Sequence, residues 1–181
     1  QSESIAELAD YYYHFYDAKE LRTAIPYDPV KAIGLYRRAA TKNFSDAGYT
    51  ALQAAFGYIF HIGHLPLDWG LIADLTHMAA TKERFMFALP YIGYMRIHGL
   101  GVTKNIRFAV QSLLRVLDEE QRAFEEENRV LFYDITRALT RVALGYAYEK
   151  GYVSGKPDLD QAVSYYEQSH QYILSHKANL D

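Results

Sequence analysis

The chain has 181 residues, 50% hydrophobic and 23% charged, which is enough for one domain with its own core and is typical of a soluble globular protein. Its formal charge of −3 argues against general nucleic-acid binding, which requires a basic face. The absence of cysteine excludes disulfides and thiolate metal sites, and no apolar run approaches the roughly 20 residues that span a bilayer, so we expect no membrane-embedded segment.

Helical periodicity accounts for nearly the whole chain. In chain order, eight helices are predicted, at about 3–22, 28–42, 45–62, 68–82, 84–98, 105–120, 128–150 and 158–175. They form four pairs, in units 3–42, 45–82, 84–120 and 128–175, with an acidic insertion near 118–133. The first helix contains "YYYHFY" (11–16), which is aromatic on every face. We expect such a terminal helix to favour self-association through the ends of the helical array.

Glycines recur in two columns of this pattern. The first column is Gly57, Gly93 and Gly145, and the second, six residues later in each case, is Gly63, Gly99 and Gly151. A glycine inside a helix costs about 1 kcal/mol relative to alanine, which is tolerable where a missing side chain lets a neighbouring helix approach closely. The second glycine readily adopts the left-handed conformation that ends a helix. We therefore predict that one glycine of each pair packs and the other terminates.

Helix N-caps follow the second glycine column after a short loop. The predicted caps are Asp28, Asp68, Asn105 and Asp158. Positions 4, 8, 11 and 12 after each cap fall on one helical stripe and are predicted to be buried. These positions are Ala32, Tyr36, Ala39 and Ala40; Ile72, Thr76, Ala79 and Ala80; Ala109, Leu113, Val116 and Leu117; and Ala162, Tyr166, Ser169 and His170. Helix pairs of this kind bury their apolar faces by stacking into a curved solenoid.

These columns resemble the Sel1-like repeat, a relative of the tetratricopeptide repeat. The segments that carry the resemblance are "DPVKAIGLYRRAA" (28–40), "FGYIFHIGHLPLDWGLIADLTHMAA" (56–80), "IGYMRIHGLGVTKNIRFA" (92–109) and "LGYAYEKGYVSGKPDLDQAVSYYEQS" (144–169). Arg96 replaces the usual tyrosine, and the insertion before the fourth unit is foreign to the pattern. The resemblance implies an all-α fold, a right-handed superhelical solenoid of about four antiparallel helix pairs. It also implies an adaptor or scaffold that binds a partner protein.

No catalytic constellation emerges from the sequence. A phosphate-binding Gly-x-x-x-x-Gly-Lys loop, a Gly-x-Ser-x-Gly elbow and a His-Glu-x-x-His pair are all missing. His61 and His64 in "HIGH" have a spacing compatible with a metal, but a helix is predicted to end between them and Asp68 is the only nearby carboxylate, so we interpret them as ordinary histidines near a helix end. We therefore predict no enzyme activity, no cofactor and no metal site.

Two sets of residues are candidates for partner binding. Tyr58, Tyr94 and Tyr146 each follow a packing glycine and predict a ladder with one tyrosine per unit, with Arg96 and Glu149 as polar neighbours. The ladder either wedges between helices as core or lines a groove for an extended peptide or loop. The second set is an acidic hairpin that could contact a basic partner. Its residues are Glu119, Glu120, Glu125, Glu126 and Glu127.

Three other functions stay open on the sequence. The chain could be an inhibitor or immunity-type protein that blocks a secreted enzyme, a groove-based binder or enzyme acting on a small ligand, or a piece of a longer solenoid. The chain starts with Gln1 rather than Met, which indicates a processed or trimmed protein and leaves an exported location, periplasmic or lumenal, open.

Overall fold

The computed structural model describes residues 5–6, 8–9, 28–42, 47–59, 64–81, 85–125 and 133–178, and all regular secondary structure within these ranges is helical. From residue 28 onward, the helices in these ranges are α1 (Pro29–Ala40), α2 (Ala47–Ile59), α3 (Trp69–Thr81), α4 (Phe85–His98), α5 (Ile106–Glu125), α6 (Tyr133–Glu149) and α7 (Leu159–Ala178). The segment "YYYHFY", Gly63, His61, Glu126 and Glu127 lie outside the described residues. The chain forms two compact units, Gln1–Ala88 and Leu89–Asp181.

In the first unit, α1 and α3 both pack against α2. Helices α1 and α2 approach closely at Gly57, where an added Cβ would lie 2.1 Å from Cδ1 of Ile33. On α2 the small residues Ala51, Ala54 and Ala55 are fully buried beside the larger Leu52. The predicted role of Gly57 as a close-packing residue is confirmed by this contact.

In the second unit, the core lies between α4, α5 and α6. Its fully enclosed residues are Ile97, Ala109, Val110, Leu113, Ala143, Leu144 and Ala147. An added Cβ at Gly93 would lie 2.9 Å from Cγ and Cδ2 of Leu113 on α5. At Gly145 it would lie 2.7 Å from Cε1 of Tyr166 on α7. The first glycine column therefore marks close helix contacts in this unit as well.

The four predicted N-caps are all confirmed. Asp28 Oδ1 accepts from the backbone N–H of Lys31 at 2.9 Å, and Asp68 Oδ1 accepts from that of Leu71 at 2.9 Å. Asn105 Oδ1 accepts from the backbone N–H of Phe108 at 3.0 Å, and Asp158 Oδ1 accepts from that of Gln161 at 3.0 Å. These side chains satisfy backbone donors that have no partner inside the helix, which fixes the first residue of α1, α3, α5 and α7.

The second glycine column ends α4 and α6 as predicted. Gly99 has φ +73° and Gly151 has φ +71°, a region that residues with a Cβ adopt only with strain. The residue after each glycine donates back five positions, from Leu100 N to Met95 O at 2.9 Å and from Tyr152 N to Ala147 O at 2.8 Å. This pattern satisfies carbonyls at the helix end and turns the chain toward the next helix.

The predicted buried stripe is buried throughout α1. Its last residue is half-buried in α3 (Ala80) and in α5 (Leu117), and in α7 Tyr166 is half-buried and His170 is exposed. His170, predicted to be buried, is exposed, whereas Leu117 at the equivalent position of α5 packs on the core beneath α6. His170 is exposed because, among the described residues, no further helix follows α7 and packs on this face. The same face of α7 leaves Leu159 and Val163 63% and 53% exposed.

Helix α5 also runs five residues beyond its predicted end at residue 120. The Arg122 guanidinium pairs with the carboxylates of Asp118, four residues earlier, and Glu119, three residues earlier. The distance from Arg122 Nη1 to Glu119 Oε1 is 3.5 Å. Pairs at these spacings stabilise a helix, and glutamate and glutamine are good helix formers, so the acidic segment continues the helix.

Candidate functional site

Four rings form a continuous row on the second unit, here called the aromatic row: Tyr94, His98, Tyr146 and Tyr152. The ring centroids of Tyr94 and His98 lie 4.6 Å apart, those of His98 and Tyr146 lie 4.6 Å apart, and those of Tyr146 and Tyr152 lie 6.2 Å apart. All four residues are half-buried. The row joins α4, α6 and the loop after α6 on one partly exposed surface.

Local helix geometry explains how the row is assembled. Tyr94 and His98 are four residues apart and so share one face of α4, and Tyr146 and Lys150 share the equivalent face at the end of α6. Tyr94, Tyr146 and Tyr152 also pack on the hydrophobic core of the unit. One side of each tyrosine ring is therefore anchored while the row remains partly open to solvent.

Two lysines lie beside the row. The Nζ atom of Lys150 lies 5.4 Å from the centroid of the Tyr146 ring, which is a cation–π distance. The Cβ atom of Lys104 lies 3.6 Å from the position of an added Cβ on Gly99, immediately after His98. Burial lowers the pKa of His98 below its usual value, and the charge of Lys104 lowers it further. His98 is therefore neutral at pH 7, and the row is an uncharged surface with cations at its margin.

Glu149 lies next to the row but faces α7. Its carboxylate accepts from Lys150 Nζ at 2.6 Å and from the Tyr166 hydroxyl at 3.0 Å. The hydrogen bond from Lys150 holds the pKa of Glu149 below its usual value, and the bond from Tyr166 lowers it further. Desolvation and the same carboxylate raise the pKa of Tyr166 to about 12. Glu149 thus links the end of α6 to α7 as an anion.

The structure brings together only part of the predicted tyrosine ladder. Tyr94 and Tyr146 meet through His98, whereas Tyr58 belongs to the first unit and is 8% exposed. Arg96 lies over the Phe108 ring at 5.0 Å and donates to the Thr103 carbonyl at 3.4 Å. Arg96 therefore packs against α5 and its preceding loop.

Sequence reasoning missed His98, Tyr152 and Lys150 as members or neighbours of the row. A signal for two of them was present, because His98 and Lys150 each follow a predicted ladder tyrosine by four residues. Extending the ladder by one helical turn would have placed both residues on its face.

A second feature of this unit is a polar cleft of about 490 Å³ between α5, α6 and α7. Its lining residues are Leu117, Glu120, Gln121, Arg137, Arg141, Gln161, Tyr165, Gln168 and Tyr172. Glu120 pairs with Arg137 at 2.7 Å and with Arg141 at 2.9 Å, and the side chains of Glu120 and Arg141 are only 10% exposed. Arg141 also donates to Gln168 at 3.2 Å and lies over the Tyr172 ring at 4.7 Å.

This network changes the interpretation of the acidic segment. Glu120 points inward and neutralises arginines of α6, whereas the sequence predicted a projecting hairpin. Glu119 pairs with Arg122 on the same helix, and Glu125 is the last residue of α5. The role of Glu119 and Glu125 in binding a partner stays a prediction, as does that of Glu126 and Glu127, which lie outside the described residues.

In the described parts of the chain, no group of three or more His, Cys, Asp or Glu side chains could hold a metal ion. None of the described helices is long and apolar enough to cross a membrane.

Comparison with known proteins identifies the repeat. The Sel1 repeat family model matches residues 2–44, 91–111 and 136–169, which is 98 of the 181 residues. A crystal structure of a Sel1 repeat protein from Oxalobacter formigenes aligns with a TM-score of 0.56 and 20% identity, and the alignment covers 95% of this chain and 59% of that one. The chain thus spans about three-fifths of that protein's length.

This likeness confirms the predicted all-α helical-repeat fold class. No curated protein matches the sequence. Sel1 repeats generally mediate protein–protein interactions, and proteins built from them are typically non-enzymatic. The chain belongs to the Sel1 repeat family.

Proposed function

We propose that this protein is a non-enzymatic adaptor or scaffold that binds a partner protein through the aromatic row. The observation that carries the proposal is the row itself: three successive ring contacts at 4.6, 4.6 and 6.2 Å join α4 to α6 and its following loop. A partner lying across the row contacts two consecutive repeats at once.

The physical chemistry of the row suits an interface. Tyrosine is enriched at the centres of protein interfaces because its ring offers a large apolar area and its hydroxyl a hydrogen bond. Rings that already stack on one another and on the core lose little conformational freedom when a partner binds. The row is therefore organised for binding before the partner arrives.

The other predicted contact residues support the proposal less. Tyr58 is almost fully buried, and Arg96 is held against Phe108. Glu120 is already compensated by Arg137 and Arg141, so it has little charge to offer a basic partner. The half-buried row offers the more accessible contact area.

Capture of partners from an extract of the source organism tests the proposal. The parent protein is compared with a Tyr94→Ala/Tyr146→Ala variant and with a matched Tyr165→Ala/Tyr172→Ala variant, which loses two tyrosines from the polar cleft. Circular dichroism and a melting curve establish that each variant is folded.

We expect a specific protein to be retained by the parent and by the cleft variant and lost by the row variant. Retention by a folded row variant, with loss in the cleft variant, would instead place the binding surface at the polar cleft.

A further inference from the structure

We propose that the partner segment held on the aromatic row is a short, extended, acidic peptide whose carboxylates bind Lys104 and Lys150. This inference rests on the proposed function and specifies the chemistry of the partner.

The charge beside the row is positive. Lys104 and Lys150 are both exposed, and each lies against a different part of the row. Lys104 acts electrostatically on His98, and the Nζ atom of Lys150 lies over the Tyr146 ring. Two cations separated by uncharged rings favour a ligand with spaced carboxylates and apolar groups between them.

Glu149 is an anion beside Lys150, and its one negative charge does not cancel both lysines. It pairs with Lys150 and accepts a second hydrogen bond from Tyr166. Lys150 and Glu149 form an exposed ion pair, and because such pairs are weak in water, Lys150 can exchange Glu149 for a ligand carboxylate at little cost. Tyr166 remains as a donor to Glu149 after the exchange.

The length of the row sets the length of the peptide. Its centroid spacings of 4.6, 4.6 and 6.2 Å give the row a length of at most about 15 Å. An extended chain rises about 3.3 Å per residue, so four to five residues cover the row. Side chains alternate along such a chain, which allows carboxylates and apolar groups to face the lysines and rings in turn.

His98 makes binding of an acidic peptide sensitive to pH. In the free protein, burial and Lys104 keep the pKa of His98 low. A bound carboxylate favours the protonated ring, so the pKa is higher in the complex and binding takes up a proton. Affinity therefore rises as the pH falls through the pKa of the complex and levels off below the pKa of the free protein. Among the described residues, the charged or titratable groups that contact the His98 ring or act on it electrostatically are Tyr94 on the same helix, Tyr146 on α6 and Lys104 in the loop after α4.

Fluorescence anisotropy with three labelled eight-residue peptides provides the test. The peptides alternate leucine with glutamate, glutamine or lysine, and each is titrated with the full chain at low salt. We expect the glutamate peptide to bind at least about tenfold more tightly than the other two, which corresponds to about 1.4 kcal/mol. Equal binding of the glutamine or lysine peptide, or no binding of the glutamate peptide below about 1 mM, overturns the proposal.

Two variants localise the charge effect. Lys104→Gln/Lys150→Gln is expected to weaken glutamate-peptide binding about tenfold, while the matched Lys31→Gln/Lys42→Gln variant, on α1 and just after its end, retains it. An equal loss in both variants means that net charge alone drives binding, which overturns the proposed contact. His98→Gln is expected to remove the rise in affinity between pH 7.5 and 5.5, and a rise that persists in this variant contradicts the placement of the peptide beside His98.

The natural partner separates this inference from the proposed function. A partner that is lost by Tyr94→Ala/Tyr146→Ala but kept by Lys104→Gln/Lys150→Gln refutes the acidic peptide and leaves the row as the binding surface. A partner kept by the folded tyrosine variant refutes the proposed function itself.

Discussion

The helix pairs α4–α5 and α6–α7 have the same backbone features at their connecting loops and differ in the side chains packed between their helices. Each pair ends its first helix at a left-handed glycine, and in each the N-cap of the second helix donates its backbone N–H to the first helix. That bond runs from Asn105 to the Arg96 carbonyl at 2.9 Å and from Asp158 to the Tyr148 carbonyl at 3.0 Å. Glycines and caps thus fix the path of the chain in both pairs.

The residue that faces the packing glycine differs between the pairs. Gly93 faces Leu113, which is fully buried, whereas Gly145 faces Tyr166, which is half-buried and donates to Glu149. The first contact is closed and apolar, and the second is open and polar. A glycine that lets two helices approach closely can therefore lie in the apolar core of one helix pair and in a polar, partly exposed network of the next.

Replacement of the packing glycines tests this difference most strongly. Gly93→Leu is expected to lower the free energy of unfolding by about 3 kcal/mol, because the new side chain meets Leu113 in a core that has no room to shift. Gly145→Leu is expected to cost less, about 1 to 2 kcal/mol, since Tyr166 can move toward solvent. Urea denaturation measures both values, and equal losses would show that the two contacts are alike.

The two helix-ending glycines provide a finer comparison. An added Cβ at Gly151 would lie 2.7 Å from the backbone carbon of Lys156, whereas at Gly99 its nearest neighbour is a side-chain carbon at 3.6 Å. Gly99→Ala therefore carries only the strain of a positive φ, about 1 kcal/mol, and Gly151→Ala carries that strain plus a backbone clash, about 3 kcal/mol in all. Thermal melts of the two variants show which is less stable. A lower melting temperature for Gly99→Ala than for Gly151→Ala would contradict this expectation.

A glycine outside the packing column acts as the control. Gly34 lies inside α1, and an added Cβ there has no described neighbour within 4 Å. Gly34→Ala is expected to raise the free energy of unfolding by up to about 1 kcal/mol, because alanine favours the helix. A loss of stability in the same urea assay would mean that helical glycines are required here for a reason other than close packing.

The polar contact of α6–α7 has a smaller, pH-dependent signature. The pKa of Glu149 is lowered in the folded protein, so its contribution to stability is present above the usual glutamate pKa and is lost as the pH falls through the lowered value. NMR titration of the Glu149 carboxyl carbon measures this pKa. We expect Lys150→Met to raise it more than Tyr166→Phe does, because the lysine is the larger cause. The reverse order would make the tyrosine the main partner.

Much of the fold could be predicted because its signals are local. The N-caps and the left-handed glycines satisfy requirements of the backbone within a few residues, so each could be predicted from its spacing in the sequence. These residues are Asp28, Asp68, Asn105, Asp158, Gly99 and Gly151. The family resemblance rests on the same spacings. Local rules therefore predict where helices start, stop and approach one another.

The candidate site depends on distances that no local rule contains. His98 lies between Tyr94 and Tyr146 only because α4 and α6 both pack on α5 at a particular separation. Glu120 lies within the helix predicted from the sequence, but its pairing with Arg137 and Arg141, 17 and 21 residues further along the chain, depends on how α5 packs against α6. The four-residue spacing places His98 on the face of Tyr94, whereas contacts between helices follow from tertiary packing and cannot be predicted from that spacing.

The central claim is that the aromatic row is the surface that meets the partner. The most direct test is an NMR titration of the unmodified protein with the captured partner, following the ring signals of its tyrosines and histidines. The account predicts that Tyr94, His98, Tyr146 and Tyr152 shift or broaden while Tyr165 and Tyr172 in the polar cleft do not. Perturbation of the cleft tyrosines with an unchanged row would contradict it.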